Sequence, residues 1–210
     1  MTADVSQIRV LAVDDHSLVR QGIAGLIGIQ PDMTLVGEAS NGRDAIQQFR
    51  ALRPDITLMD LQMPEMSGID ALLAIRNESP DAKVIVLTTY SGDVQILRAL
   101  KAGAQAYLLK NTLHNELMTT IRAVYAGKKT LSPEVSYQIA QHATDDALTP
   151  AEVSVLRLIA AGNANKQIAD QLSITEETVK SRVKSILSKL GANDRTHAAV
   201  IGFKRGIIDL

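Results

Sequence analysis

The chain has 210 residues, 22 of them basic and 23 acidic, for a formal net charge of −1. At about 150 residues per domain, this length holds one large domain or two small ones. Hydrophobic residues make up 46% and charged residues 21%, as in ordinary folded proteins, and the lack of cysteine excludes disulfides, thiolate zinc sites and cysteine nucleophiles. The opening MTADVSQIRV has no basic region leading into an apolar run, so no signal peptide is expected. No apolar stretch approaches the roughly 18 residues of a membrane span. The expectation is a soluble cytoplasmic protein with no membrane partner.

In chain order, five short apolar runs read as strands, at 8–13, 34–39, 56–59, 83–88 and 106–109. They are nearly continuous in apolar residues, as parallel strands covered on both faces require. Helical patterns fill 17–27, 42–52, 69–77, 93–102 and 112–126, with Gly103 and Gly127 placed as C-caps. A β-α unit repeated five times predicts an α/β flavodoxin-like fold, a five-stranded parallel sheet in the order 2-1-3-4-5. Ligands of such sheets bind at the carboxyl ends of the strands. Asp14 and Asp15 follow strand one, Asp60 ends strand three, Thr88 ends strand four and Lys110 follows strand five. Converging carboxylates repel one another unless a cation is present, and oxygen ligands of this kind suit Mg²⁺. A carboxylate can also attack phosphorus, and Asp60, on the central strand, is the best placed to do so. His16 has no partner spacing with His114, His142 or His197 that suggests a metal or relay site, and its use as a general base is discounted.

The segments VDD (13–15), LMDLQMPEMSGID (58–70), VIVLTTY (84–90) and GAQAYLLK (103–110) resemble the receiver domain of bacterial two-component response regulators. The resemblance implies that Asp60 is the phosphoacceptor. It implies that Asp15, Asp60 and the backbone carbonyl of Gln62 ligate Mg²⁺, with Asp14 acting through water. Thr88 and Tyr107 match the switch pair and Lys110 the phosphate-contacting lysine; Tyr107 also reads as an ordinary sheet aromatic. Asn111 departs from the proline that many receivers carry after the lysine.

The β-α rhythm stops after residue 127. Residues 128–147 read as a linker holding one short helix, opened by Ser132-Pro133-Glu134. From residue 148 the pattern is wholly helical. Thr149-Pro150-Ala151-Glu152 opens a helix, 165–172 is a second, and Ser173-Ile174 turns into a third capped by Thr175. Two helices joined by so short a turn read as helix-turn-helix. In the third helix Val179, Val183, Ile186, Leu187 and Leu190 form an apolar stripe, opposite Lys180, Ser181, Lys184 and Ser188. Residues 148–206 resemble the LuxR-type (NarL/FixJ) DNA-binding domain. That resemblance implies base reading by Lys180, Ser181 and Lys184, and phosphate contacts from Asn165, Lys166, Thr178, Arg182 and Lys189. It also implies a dimer contact on the last helix.

The near-zero net charge therefore averages unlike parts: −3 over residues 1–127, −1 over 128–147 and +3 over 148–210. The expected whole is a receiver (1–127), a linker (128–147) and a DNA-binding domain (148–210). Its expected partners are a sensor histidine kinase, double-stranded promoter DNA, a second copy of itself when activated, and RNA polymerase. It would catalyse only its own phosphotransfer and dephosphorylation. A haloacid-dehalogenase-like phosphatase shares the Asp, Thr, Lys and Mg²⁺ set but wants a DxD on strand one, which Asp14-Asp15-His16 does not supply. A receiver that dimerises without phosphate is the third reading.

Overall fold

The computed structural model describes residues 7–89, 92–142 and 146–208; Tyr90 and residues 143–145, on which the VIVLTTY segment and the polar linker partly fall, lie outside them. The chain divides into two units, 1–89 with 96–136, and 90–95 with 137–210. The elements run β1 (Ile8–Val13), α1 (Ser17–Gly28), β2 (Met33–Ala39), α2 (Gly42–Leu52), β3 (Ile56–Asp60), α3 (Gly68–Glu78), β4 (Val84–Thr88), α4 (Asp93–Lys101) and β5 (Ala106–Leu109). A 3₁₀ turn (Lys110–Thr112) leads into α5 (Leu113–Tyr125), β6 (Thr130–Leu131) and α6 (Pro133–Gln141). Four helices follow: α7 (Pro150–Ala160), α8 (Asn165–Leu172), α9 (Glu176–Leu190) and α10 (Arg195–Lys204).

The sheet is parallel throughout, in the order β2-β1-β3-β4-β5-β6. Every residue of β3, β4 and β5 is buried, which explains their unbroken apolar runs. One face of the sheet buries Val10, Leu58, Ile85, Leu87 and Leu108 in one cluster with Ile23 and Ile27 of α1 and Leu117, Ile121 and Val124 of α5. The sheet exceeds the expected five strands by one. Thr130 and Leu131, inside the segment read as linker, pair with Ala106 and Tyr107 at the sheet edge. Two residues are too few to show a periodicity, so the strand leaves no mark on the sequence pattern.

In the second unit the core gathers Val155, Leu156 and Ile159 of α7, Ile168 of α8, Val179 and Ile186 of α9, and Ile207 and Ile208 near the end. Ser173 ends α8 in the left-handed region (φ 53) and sets the tight turn into α9. No helix among the described residues is long and apolar enough to cross a membrane.

Candidate functional site

The carboxyl ends of β1, β3 and β5 bring together the acids and the lysine. Asp14, just beyond β1, is wholly buried; its Oδ1 accepts a hydrogen bond from the His16 amide (2.9 Å). Asp60 is the last residue of β3 and 3% exposed. The Lys110 ammonium donates to Asp60 Oδ2 at 2.8 Å and lies 2.7 Å from Asp14 Oδ2. The Lys110–Asp14 contact is a close ion pair between an almost buried ammonium and a wholly buried carboxylate.

Electrostatics follow from this crowding. Burial raises the Asp60 carboxyl above its ordinary range; the Lys110 ammonium and a hydrogen bond from the Gln62 amide oppose the rise, and Asp14's charge adds to it. Burial alone would pull the Lys110 ammonium down, but Asp14 and Asp60 override it, so the lysine holds its proton more firmly than in water. The Gln62 side chain itself is exposed.

The turn after Asp60 is built for close approach. A Cβ on Gly68 would sit 1.8 Å from the Asp60 carbonyl oxygen, so only glycine fits there. The Gly68 amide donates to Leu61 O (3.0 Å), and Ser67 caps α3 by accepting from the Asp70 amide (3.2 Å). The loop passes through Glu65 in the left-handed region (φ 66) to reach that cap.

Thr88 ends β4 wholly buried, and Tyr107 on β5 is wholly buried too. The two side chains share a hydrogen bond; burial pushes the phenol's pKa well above its usual value. Tyr107 is thus turned inward, not out at the sheet edge.

His16 joins this cluster, which the sequence reading did not anticipate. Its Nδ1 lies 2.7 Å from Asp15 Oδ1 and 3.3 Å from Asp14 Oδ1. One ligand atom from each of Asp14, Asp15, His16 and Asp60 falls within 4.8 Å of the others. Asp15 Oδ1 is shielded from solvent yet accepts no hydrogen bond. Such a donor set, three carboxylates with Asp14 Oδ2 and Asp15 Oδ1 both lacking a hydrogen bond, fits a hard divalent cation such as Mg²⁺.

A second candidate surface is α9. Thr175 caps it by accepting from the Thr178 amide (3.1 Å), and the two threonine hydroxyls are 2.8 Å apart. Lys180, Ser181 and Lys184 are exposed, as is Lys166 on α8; Asn165, Thr178 and Arg182 are half-buried. The apolar stripe faces the core, with Val179 and Ile186 buried and Val183, Leu187 and Leu190 packed against them.

Lys189 does not share that open face. Its Nζ donates to Glu152 Oε2 (2.9 Å) and to Ala147 O (3.3 Å). Glu152, 6% exposed, also accepts from the Ser185 hydroxyl (2.6 Å) and the Thr149 amide (2.7 Å). The buried carboxylate would be destabilised by desolvation, but these donors win and hold its pKa down at about 2. Lys189 therefore ties α9 to the start of α7, and Glu152 and Ser185 are members of this clamp that helical spacing alone did not reveal.

Comparison with known proteins matches both parts of the chain to known families. Residues 10–122 match the response regulator receiver domain, and residues 146–201 match the bacterial regulatory proteins of the luxR family. The chain is 39% identical over 206 residues to the response regulator protein VraR of Staphylococcus epidermidis, covering 96% of this chain and 99% of that protein. It is 41% identical over 210 residues to the transcriptional regulatory protein YdfI of Bacillus subtilis, covering 96% and 98%. Among solved structures, RcsB of Salmonella enterica serovar Typhimurium, bound to promoter P1flhDC with the phosphomimetic BeF₃⁻, is similar at TM-score 0.74 and 28% identity over 93% of this chain and 98% of that one. The response regulator ChrA of a heme-sensing two-component system is similar at TM-score 0.59 and 35% identity, over 97% and 100%.

Proposed function

The chain belongs to the bacterial response regulators that join a receiver domain to a LuxR-type DNA-binding domain, and from that premise we propose that phosphorylation of Asp60 controls its binding to promoter DNA. The observation that carries the reading is the Asp14–Lys110–Asp60 arrangement at the carboxyl edge of the sheet.

Asp60 acts as the nucleophile. One of its carboxylate oxygens attacks the phosphorus of a phosphohistidine on a partner kinase; the P–O bond forms as the P–N bond breaks, and the electron pair leaves with the imidazole. The Lys110 ammonium, already within 2.8 Å of Asp60, is placed to balance charge on the phosphoryl oxygens. Mg²⁺, held by Asp14, Asp15, Asp60 and the Gln62 carbonyl, would supply further neutralisation of that charge. The buried Asp14 keeps Lys110 oriented across the site. The Thr88 hydroxyl, freed from Tyr107, would then meet the phosphoryl group, and the phenol would repack, turning a local charge into a change of receiver surface.

The second half of the proposal concerns α9. Lys180, Ser181 and Lys184 would read base edges in the major groove while Lys166, Asn165, Thr178 and Arg182 meet phosphates. Dimerisation would place two such helices on half-sites about one DNA turn apart. RNA polymerase is the further partner, the cytoplasm is the setting, and no substrate other than the phosphodonor is turned over.

The test is phosphoryl incorporation. Incubated with acetyl phosphate and Mg²⁺, the wild-type chain should gain the mass of a single phosphoryl group, labile to hydroxylamine, and Asp60→Asn should gain none. Equal incorporation by the variant would overturn the assignment.

A further inference from the structure

The N-cap of α1 is unusual for what it leaves unused. Ser, Thr, Asp and Asn are favoured at such positions because their side chains accept from the first free amides. His16 holds the N-cap, but its side chain makes no capping hydrogen bond. Its backbone amide instead donates to Asp14 Oδ1, and this local turn brings the imidazole back over the acids. Nδ1 comes within 2.7 Å of Asp15 Oδ1, which accepts no hydrogen bond, and the ring is 67% exposed on its other side.

We propose that His16 is a direct nitrogen ligand of the cation at the Asp14–Asp15–Asp60 site, and that it tilts that site toward divalent transition metals such as Mn²⁺. The inference rests on reading the acidic cluster as a cation site. Its support is the grouping of the His16 ring nitrogen with three carboxylates inside 4.8 Å. Carboxylates alone suit Mg²⁺, Ca²⁺ and Mn²⁺ about equally in kind, whereas an imidazole nitrogen adds affinity for first-row divalent metals over Mg²⁺, least for Mn²⁺ and more for the later ones. Mg²⁺ also dehydrates reluctantly and keeps its waters, so a neighbouring ring nitrogen gains little from it. A neutral imidazole with Nδ1 unprotonated has the lone pair the bond requires. The exposed ring edge leaves Nε2 free to hydrogen-bond water, the outer partner that ligating histidines commonly have.

The experiment uses the tag-free full-length chain loaded with Mn²⁺, without any phosphodonor. Electron spin-echo envelope modulation should show a directly coordinated nitrogen-14, and His16→Asn should lose it while keeping bound Mn²⁺. Calorimetry on the same two proteins should show the preference for Mn²⁺ over Mg²⁺ falling about tenfold in the variant, the low end of the loss when even an outer partner of a metal ligand is removed. A wild-type signal without nitrogen coupling, or coupling that survives His16→Asn, overturns the role of His16. Failure of either metal to bind the wild-type chain would instead overturn the cation site itself, so the two failures are distinguishable. His16 is exposed and outside the hydrophobic core, so unchanged far-ultraviolet dichroism is expected for the variant.

Discussion

Glu152→Gln tests the clamp between α7 and α9 with a nearly isosteric change. The carboxylate accepts from Thr149, Ser185 and Lys189, and its pKa falls from 4.5 to about 2. At 1.36 kcal/mol per unit, a shift of about 2.5 units corresponds to about 3 kcal/mol of stability, as an upper bound. Lys189 is 23% exposed, and solvent there screens part of the attraction, so a loss of about 1–2 kcal/mol is expected for the amide. The sign is that of a depressed carboxylate. The stabilisation is complete above the unfolded value of 4.5 and is lost as the pH falls toward about 2. Urea unfolding followed by circular dichroism, with amide exchange of α7 and α9 peptides to assign the transition, measures it. The variant should unfold earlier at pH 7, and the difference from wild type should shrink below pH 4.5. An unchanged midpoint at pH 7, or a difference constant down to pH 3, would refute the reasoning.

Three further outcomes follow from the same geometry. Lys189→Ala should lower stability while leaving the salt dependence of DNA binding nearly unchanged, because its ammonium is already committed to Glu152; Lys166→Ala, on an exposed side chain, should instead reduce the slope of log affinity against log salt by about 0.9. Lys110→Ala leaves the buried Asp14 and Asp60 facing each other without a cation, so the receiver should lose about 3 kcal/mol in chelator, and Mg²⁺ should restore part of it. Equal urea midpoints with and without Mg²⁺ would contradict this. Gly68→Ala should displace the turn behind Asp60 and slow phosphoryl incorporation, since the added methyl meets the Asp60 carbonyl; a wild-type rate would show that the turn gives way freely.

Much of this was legible from residue order. The strands β3, β4 and β5 are buried on both faces, and their apolar runs say so directly. The rule that ligands meet the carboxyl ends of parallel strands then selects Asp14, Asp60, Thr88 and Lys110 without further information. What escaped depends on distance in the chain or on side-chain direction. Lys189 lies on a polar flank of its helix, and nothing local announces an acid 37 residues earlier as its partner. Thr149-Pro150-Ala151-Glu152 reads as a helix start, and in the structure it forms a capping box, but the same carboxylate also serves α9, a second role that the local pattern does not encode. His16 looked unpartnered because no histidine spacing matched; its partners are the two residues just before it, reached through a turn that only the backbone shows. The edge strand β6 is simply too short to leave a pattern.

The central claim is that the state of Asp60 sets affinity for DNA. It is tested most directly by measuring binding to an operator selected from a random duplex pool, with and without beryllofluoride and Mg²⁺, for wild type and Asp60→Asn. The account predicts tighter, dimeric binding by the wild-type chain when beryllofluoride is present and no response from the variant. Identical affinities in all four conditions, or an equal response from Asp60→Asn, would contradict it.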